Sequence, residues 1–179
     1  MEFEYTLKIP KERIAVLIGK KGQTKKFLED NTNTSIDIDS KEGDVNFKGE
    51  DSLKMFTLRE VVKAIGRGFN PELAQLLLKQ DYVLEIIPLL DHLKNKNHLE
   101  RVKGRIIGAE GKSRDIIEKL TDTFISVYGK TVSIIGQSQD VVIAKRAIES
   151  LITGSPHSNV YKFLEKNKVQ KRKRELLDW

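Results

Sequence analysis

One short pattern occurs twice. Val16-Leu17-Ile18-Gly19-Lys20-Lys21-Gly22 and Arg105-Ile106-Ile107-Gly108-Ala109-Glu110-Gly111 both place two apolar residues before Gly-x-x-Gly, 89 residues apart. The register holds downstream: Phe27-Leu28 matches Ile116-Ile117, Ile36 matches Ile125, and Val45-Asn46-Phe47-Lys48-Gly49 matches Val132-Ser133-Ile134-Ile135-Gly136 after two extra residues in the first copy. A shared register of this length rarely arises by chance. It requires a fold made of two like units, and 179 residues give room for two small ones.

Each copy carries the same succession of periodicities. Phe3, Tyr5, Leu7 and Ile9 alternate with polar residues, which predicts a half-buried strand. Pro10 opens a short helix carrying Ile14, Leu17 and Ile18, Gly19 to Gly22 interrupt it, and a second helix runs to about Asn31. Strands are expected at Ile36–Ile38 and Val45–Lys48, followed by a helix from Asp51 to about Ile65 with Gly66 as its carboxyl cap. The second copy repeats this with a strand near Tyr82–Ile87, a helix before Gly108 and another over Lys112–Leu120. Strands at Phe124–Tyr128 and Thr131–Ile135 and a helix bearing Val141, Ala144, Ile148 and Ile152 complete it. The fold class is α+β, two tandem β-α-α-β-β-α units. The expected boundaries are 1–68 for the first unit, 69–80 for a linker with a short helix, 81–154 for the second unit and 155–179 for a basic helical tail.

The glycine pairs have a physical use. Without Cβ the backbone bends sharply and can approach a phosphate, and the helix that follows offers unpaired N–H groups and a positive dipole end. Arg13, Lys20, Lys21, Lys25 and Lys26 fall in one stretch with no acidic residue. That clustering is informative because the bodies are nearly neutral. Residues 1–68 and 69–153 carry a net +1 each, and the last 26 residues carry +4 of the total +6.

This repeat resembles the type I KH domain, a module that clamps about four nucleotides of single-stranded nucleic acid with a GXXG loop. The resemblance implies a sugar-phosphate grip at Gly19-Lys20-Lys21-Gly22 and at Gly108-Ala109-Glu110-Gly111. Bases would lie against Val16, Leu17, Ile18 and Ile36 in the first unit and against Ile106, Ile107 and Ile125 in the second. The second loop departs from the pattern: it holds no cation, and Glu110 would repel a phosphate. Arg105, Lys112 and Arg114 surround it. The first loop is therefore expected to be the stronger clamp.

The joining stretch Gly-Arg-Gly-Phe-Asn-Pro-Glu-Leu-Ala-Gln-Leu-Leu-Leu narrows the resemblance, as do Thr131-Val132-Ser133-Ile134-Ile135-Gly136 and Leu151-Ile152-Thr153-Gly154-Ser155-Pro156-His157. Together they are similar to the ribosome-assembly factors of the partner-of-Nob group. The intact first loop and the lack of an amino-terminal extension match the archaeal members. The resemblance implies a cytoplasmic, non-enzymatic factor that binds single-stranded RNA near the 3′ end of small-subunit rRNA. It would work beside the Nob-type endonuclease and other small-subunit factors. A sibling paired-KH assembly factor with a different rRNA site fits the same features.

Other chemistries find little support. Cysteine is absent, which excludes disulfides, thiolate zinc sites and cysteine nucleophiles. No stretch approaches the roughly 20 apolar residues of a membrane span, and the start Met1-Glu2-Phe3-Glu4 is not a signal peptide. Gly111-Lys112-Ser113 ends like a P-loop, but position 106 is Ile where that motif needs glycine. His92, His98 and His157 show no metal spacing, and Asp37 and Asp39 read as the solvent face of a strand. Neither a cofactor nor a small-molecule substrate is expected. The basic run from Lys166 to Arg174 fits a nuclear address, an rRNA contact or a solvated helix end. Two further classes stay open: a protein-interaction scaffold of KH fold, favoured by the acidic second loop, and a metal nuclease resting on Asp37 or Asp39.

Overall fold

A computed structural model describes residues 1–179. The chain divides into two compact units, Met1–Gln80 and Asp81–Trp179. The first contains β1 (Phe3–Lys8), α1 (Lys11–Ile18), α2 (Gln23–Thr32), β2 (Thr34–Asp39), β3 (Asp44–Gly49) and α3 (Ser52–Gly66). A short α4 (Pro71–Ala74) continues as a 3₁₀ turn over Gln75–Leu78. The second contains β4 (Tyr82–Pro88), α5 (Leu99–Ile107), α6 (Lys112–Thr121), β5 (Phe124–Tyr128), β6 (Thr131–Gln137), α7 (Ser138–Ile152) and α8 (His157–Leu177). The expected element order is present in both.

Each sheet has its third strand in the middle, β1-β3-β2 and β4-β6-β5, with every pair antiparallel. In the first sheet the register aligns Tyr5, Phe47 and Ile36 in one row and Leu7, Val45 and Ile38 in another. These rows face the helices. Phe47 and Val45, on the central strand, are fully buried together with Leu17, Leu28 and Leu58. Full burial of such side chains contributes about 1.5–3 kcal/mol each. Tyr5 remains 44% exposed because β1 is an edge strand, and the Arg59 guanidinium of α3 lies 5.4 Å above its ring.

Local signals explain the helix ends. The Asp51 carboxylate accepts from Leu53 N (2.9 Å) and Lys54 N (3.1 Å), fixing the start of α3. Asn70 does the same for α4 by accepting from Leu73 N, with Pro71 in the first turn. Gly66 is not the carboxyl cap of α3. It is the last helical residue, Arg67 follows as the cap, and Gly68 supplies the positive φ of 101°. Gly66 is small for packing: a Cβ there would lie 2.9 Å from Ile9 Cγ2.

The flanking segments pack on their own units. Ala74 and Leu77 are buried and the turn after α4 rests on α3, so residues 69–80 group with the first unit. In the same way α8 packs on α6 and α7, burying Val160 and Leu164, and residues 155–179 group with the second. Their apolar residues give each segment a face to bury, which accounts for the difference from a free linker and a free tail.

Candidate nucleic-acid interface

The two glycine loops have the same backbone. At the first, α1 ends on Gly19 (φ 77°, ψ 174°), Lys21 takes φ 54°, ψ 30°, and Gly22 takes φ 73°, ψ 13° before α2 starts. At the second, Gly108 (74°, 175°), Glu110 (54°, 29°) and Gly111 (75°, 10°) match these within 3°. Each turn is closed by the second glycine donating its N–H to the first glycine's carbonyl, at 3.2 and 3.3 Å. Lys21 and Glu110 sit in the left-handed region, where a side chain costs about 1–2 kcal/mol.

The glycines of each pair are required for different reasons. A Cβ on Gly19 would lie 2.8 Å from Thr24 N, and one on Gly108 would lie 2.7 Å from Ser113 N. A Cβ on Gly22 would meet nothing within 4 Å, and one on Gly111 would meet only Arg114 Nη2 at 3.9 Å. The second glycine thus serves its positive φ and leaves an open face. Neither α2 nor α6 has a side-chain N-cap. The first N–H of each is taken within the turn, Gln23 N by Lys20 O and Lys112 N by Ala109 O, and a helix start that lacks a side-chain cap is suited to an anion such as phosphate.

Charge distinguishes the loops. Lys20, Lys21 and Lys26 are exposed and make no ion pair, while half-buried Lys25 lies 3.7 Å from Glu29. In the second loop Ala109 and Glu110 are exposed in place of the lysines. Exposed Lys112 and the Arg114 guanidinium, 3.8 Å from Asp115, remain nearby. Arg114 occupies the position of Lys25 in the repeat. Both units therefore carry a cation three residues after the second glycine.

Two of the expected phosphate ligands have another task. Arg13 donates from Nε to Ile65 O and from Nη2 to Phe69 O, both at 2.8 Å. Arg105 donates to Leu151 O (3.1 Å) and Ser155 O (2.5 Å). Each guanidinium ties off carbonyls at the end of its unit's long helix, α3 or α7, and its direction is set by those bonds. The apolar wall also needs correction. Leu17 and Ile106 are fully buried and Ile36 and Ile125 are 3% and 5% exposed, so all four are core. Helical period puts Leu17 on the face of Ile14, and strand register puts Ile36 opposite Phe47. Val16, Ile18 and Ile107 are partly exposed and remain available to a base.

The repeat also contains a set of groups that hydrophobic pattern did not reveal. The Glu29 carboxylate accepts from Ile36 N at 2.8 Å, and Glu118 accepts from Ile125 N at 2.7 Å, joining the helix after each loop to the following strand. Burial pushes the Glu118 carboxyl above its ordinary value, against the opposing effects of the Ile125 bond and the Arg114 charge. Thr32 donates to Leu28 O and pairs with Thr34, as Thr121 does with Ile117 O and Thr123. Identity at the repeat spacing (Glu29 with Glu118, Thr32 with Thr121, Thr34 with Thr123) is the signal that would have found them.

The Asp pair is not drawn together as a metal site. Asp37 is exposed, and Asp39 accepts from Lys41 N and Glu42 N in the strand turn. No cluster of three or more potential metal ligands forms, and no helix is long and apolar enough to cross a membrane.

Comparison with known proteins gives matches to both units. Residues 83–169 match the family described as eukaryotic type KH-domain (KH-domain type I), in its model for the second domain of PNO1, and residues 4–66 match the KH domain. KH domain-containing protein MJ0443 of Methanocaldococcus jannaschii is 49% identical over 172 residues, covering 94% of this chain and 75% of that one. The pre-rRNA-processing protein pno1 of Aspergillus fumigatus is 41% identical over 123 residues, 66% of this chain and 45% of that one. The chain thus spans less than half of the fungal relative. In the crystal structure of an a/eIF2alpha–aDim2p–rRNA complex from Pyrococcus horikoshii, one chain superposes with a TM-score of 0.89 and 51% identity, covering 94% of this chain and 96% of its own.

Proposed function

We propose that this chain, which belongs to the type I KH family and to its archaeal paired-KH group of ribosome-assembly proteins, is a non-enzymatic RNA clamp acting in small-subunit biogenesis. The observation that carries the reading is the first loop. There a GXXG turn with an open glycine, uncapped helix N–H groups and unpaired Lys20 and Lys21 converge on one face. A phosphate seated on that face receives hydrogen bonds from the first turn of α2 and charge from the two lysines, while Val16 and Ile18 offer apolar contact to the attached base. The second loop holds the same donors with a weaker field, because Glu110 opposes Lys112 and Arg114.

The pre-rRNA-processing name of the fungal relative and the rRNA complex of the Pyrococcus protein support small-subunit rRNA as the ligand. We place the contact in single-stranded rRNA near the 3′ end and the chain in the cytoplasm. A Nob-type endonuclease and, from the same complex, an initiation-factor α subunit are its candidate protein partners.

The test is binding of a labelled rRNA 3′-terminal oligonucleotide and a scrambled one to the unmodified chain and to Lys20→Asp/Lys21→Asp. If three to five phosphates are neutralised, log K falls with log salt at a slope of about −2 to −3.5. Preferential binding of the authentic oligonucleotide, lost in the variant, is the expected result. Equal binding of both, lost in the variant, would refute the rRNA site while keeping the clamp. No binding by the unmodified chain would leave the scaffold reading, which the acidic second loop favours.

A further inference from the structure

The last helix carries more positive charge than its own fold uses. α8 is 21 residues long, about 31 Å, and only Val160 and Leu164 in its first half are buried. Two lysines in the second half are bound to the unit. Lys168 Nζ donates to Lys119 O at 2.5 Å and lies 3.8 Å from Asp122. Lys171 Nζ bonds Asp122 at 3.2 Å and the nearly buried Asp140 at 3.0 Å. Asp122 follows the last residue of α6 and Asp140 lies in the first turn of α7, so these lysines pin α8 to both helices.

Past that point the pattern changes. Arg172, Lys173 and Arg174 are exposed, and none has a carboxylate within 4 Å. Adjacent like charges repel one another, and the attraction of cations to a helix carboxyl end is worth only about 0.3–1 kcal/mol each. The ion pairs that anchor the helix use Lys168 and Lys171. Of the five other cations of α8, Arg172, Lys173 and Arg174 are consecutive and fan over about 200° of the helix, forming an unneutralised band in a unit whose body is otherwise near neutral. This patch sits at the end of α6 away from the Gly108–Gly111 loop, and α6 is ten residues, about 15 Å, long.

We infer that Arg172, Lys173 and Arg174 form a second, sequence-independent RNA contact that takes backbone phosphates of nucleotides flanking those held at the Gly108–Gly111 loop. The inference rests on the RNA reading proposed above. Its occupant is a polyanion because the patch offers three exposed cations, while the pocket that Arg174 lines also presents Asp140, Glu175 and Asp178 and so does not suit a discrete anion. Flanking nucleotides fit because the patch is separated from the loop by the length of α6.

The test compares the full chain with Arg172→Gln/Lys173→Gln/Arg174→Gln, which leaves Lys168 and Lys171 in place. Two RNAs are used, a six-nucleotide one that fills only a loop and a 20-nucleotide one with the same centre. The expected result is unchanged binding of the short RNA and at least tenfold weaker binding of the long one at low salt. For three phosphates, the salt slope for the long RNA should become shallower by about 2. An unchanged slope and affinity for the long RNA would overturn the inference. So would equal losses for both lengths with a lowered melting temperature, which would make the patch a folding device. Failure of the unmodified chain to bind either RNA would remove the loop reading and this one together, whereas Lys20→Asp/Lys21→Asp should weaken both lengths.

Discussion

Arg13 offers the sharpest separation of folding from binding, because its place beside the first loop suggests a phosphate ligand and its bonds say otherwise. Arg13→Met keeps the aliphatic stem and removes the guanidinium. Two hydrogen bonds of 2.8 Å are lost, to Ile65 O and Phe69 O. A bond from a charged donor contributes about 1.5–3 kcal/mol. Ile65 O keeps a partner, since Gly68 N donates to it at 3.2 Å, which lowers the cost of that half. The first unit should therefore lose about 2–4 kcal/mol. For a unit of this size that corresponds to a fall in melting temperature on the order of 10–20 °C.

Thermal unfolding of the full chain, followed together with RNA binding at several salt concentrations below the transition, measures both consequences. The melting transition of the first unit should move down while the salt slope stays unchanged. A variant that melts within a degree of the parent and loses about 0.7 from its slope, the share of one single-strand phosphate, would refute the structural role. Arg105→Met makes the same statement about the second unit.

The remaining predictions concern the loops and their support. Gly22→Ala should cost about 1–2 kcal/mol, the penalty of its positive φ alone. Gly19→Ala should cost more, because its Cβ would also press on Thr24 N, and equal costs in thermal denaturation would contradict that division. Glu118 is held more readily as the acid in the folded chain, so its contribution to stability rises as pH falls toward the ordinary carboxylate range and is least favourable above it. Glu118→Gln, which keeps an acceptor for Ile125 N, should equal or exceed the parent in stability at pH 7. That difference should shrink on acidification toward pH 4.5, and a difference that grew instead would sink the argument.

The sequence made the units legible because two periodicities and two glycine pairs repeated in one register. Element order follows directly from spacing, and Gly19, Gly22, Gly108 and Gly111 were identifiable because the same pair recurs at the repeat spacing. Assignment of side chains to the groove was less successful for a geometric reason. A helix of eight residues such as α1 turns Leu17 into the core and Val16 and Ile18 toward its edge. An apolar string read linearly cannot separate them. Ile36 and Ile125 were lost to the same ambiguity, since strand alternation gives two faces and only pairing with the central strand says which is covered. Arg13 and Arg105 were invisible as helix ties because their acceptors lie 52–56 and 46–50 residues away in sequence. They also occupy positions one helical turn apart relative to their loops, so the repeat register did not match them.

That misassignment bears on how positive charge should be read in a chain of this kind. A net charge of +6 suggests a diffuse attraction to polyanions, yet many of the cations are already engaged. Arg13 and Arg105 hold carbonyls, Lys145 bonds Glu85 at 2.6 Å, Lys25 faces Glu29, and Lys168 and Lys171 fasten α8. For Lys145 the Glu85 bond raises the pKa, and for Lys171 the two aspartates outweigh the desolvation that would lower it, so in both the carboxylate partners favour the charged form. Among the cations without such partners, Lys20, Lys21 and Lys26 stand together at the first loop and Arg172, Lys173 and Arg174 at the end of α8. The second loop has the same backbone to within 3° but has Ala109 and Glu110 where the first has lysines. Its weaker field therefore lies in side chains alone. The two loops share this backbone despite their different side-chain charge, so backbone and charge should be separable by substitution without disturbing the fold.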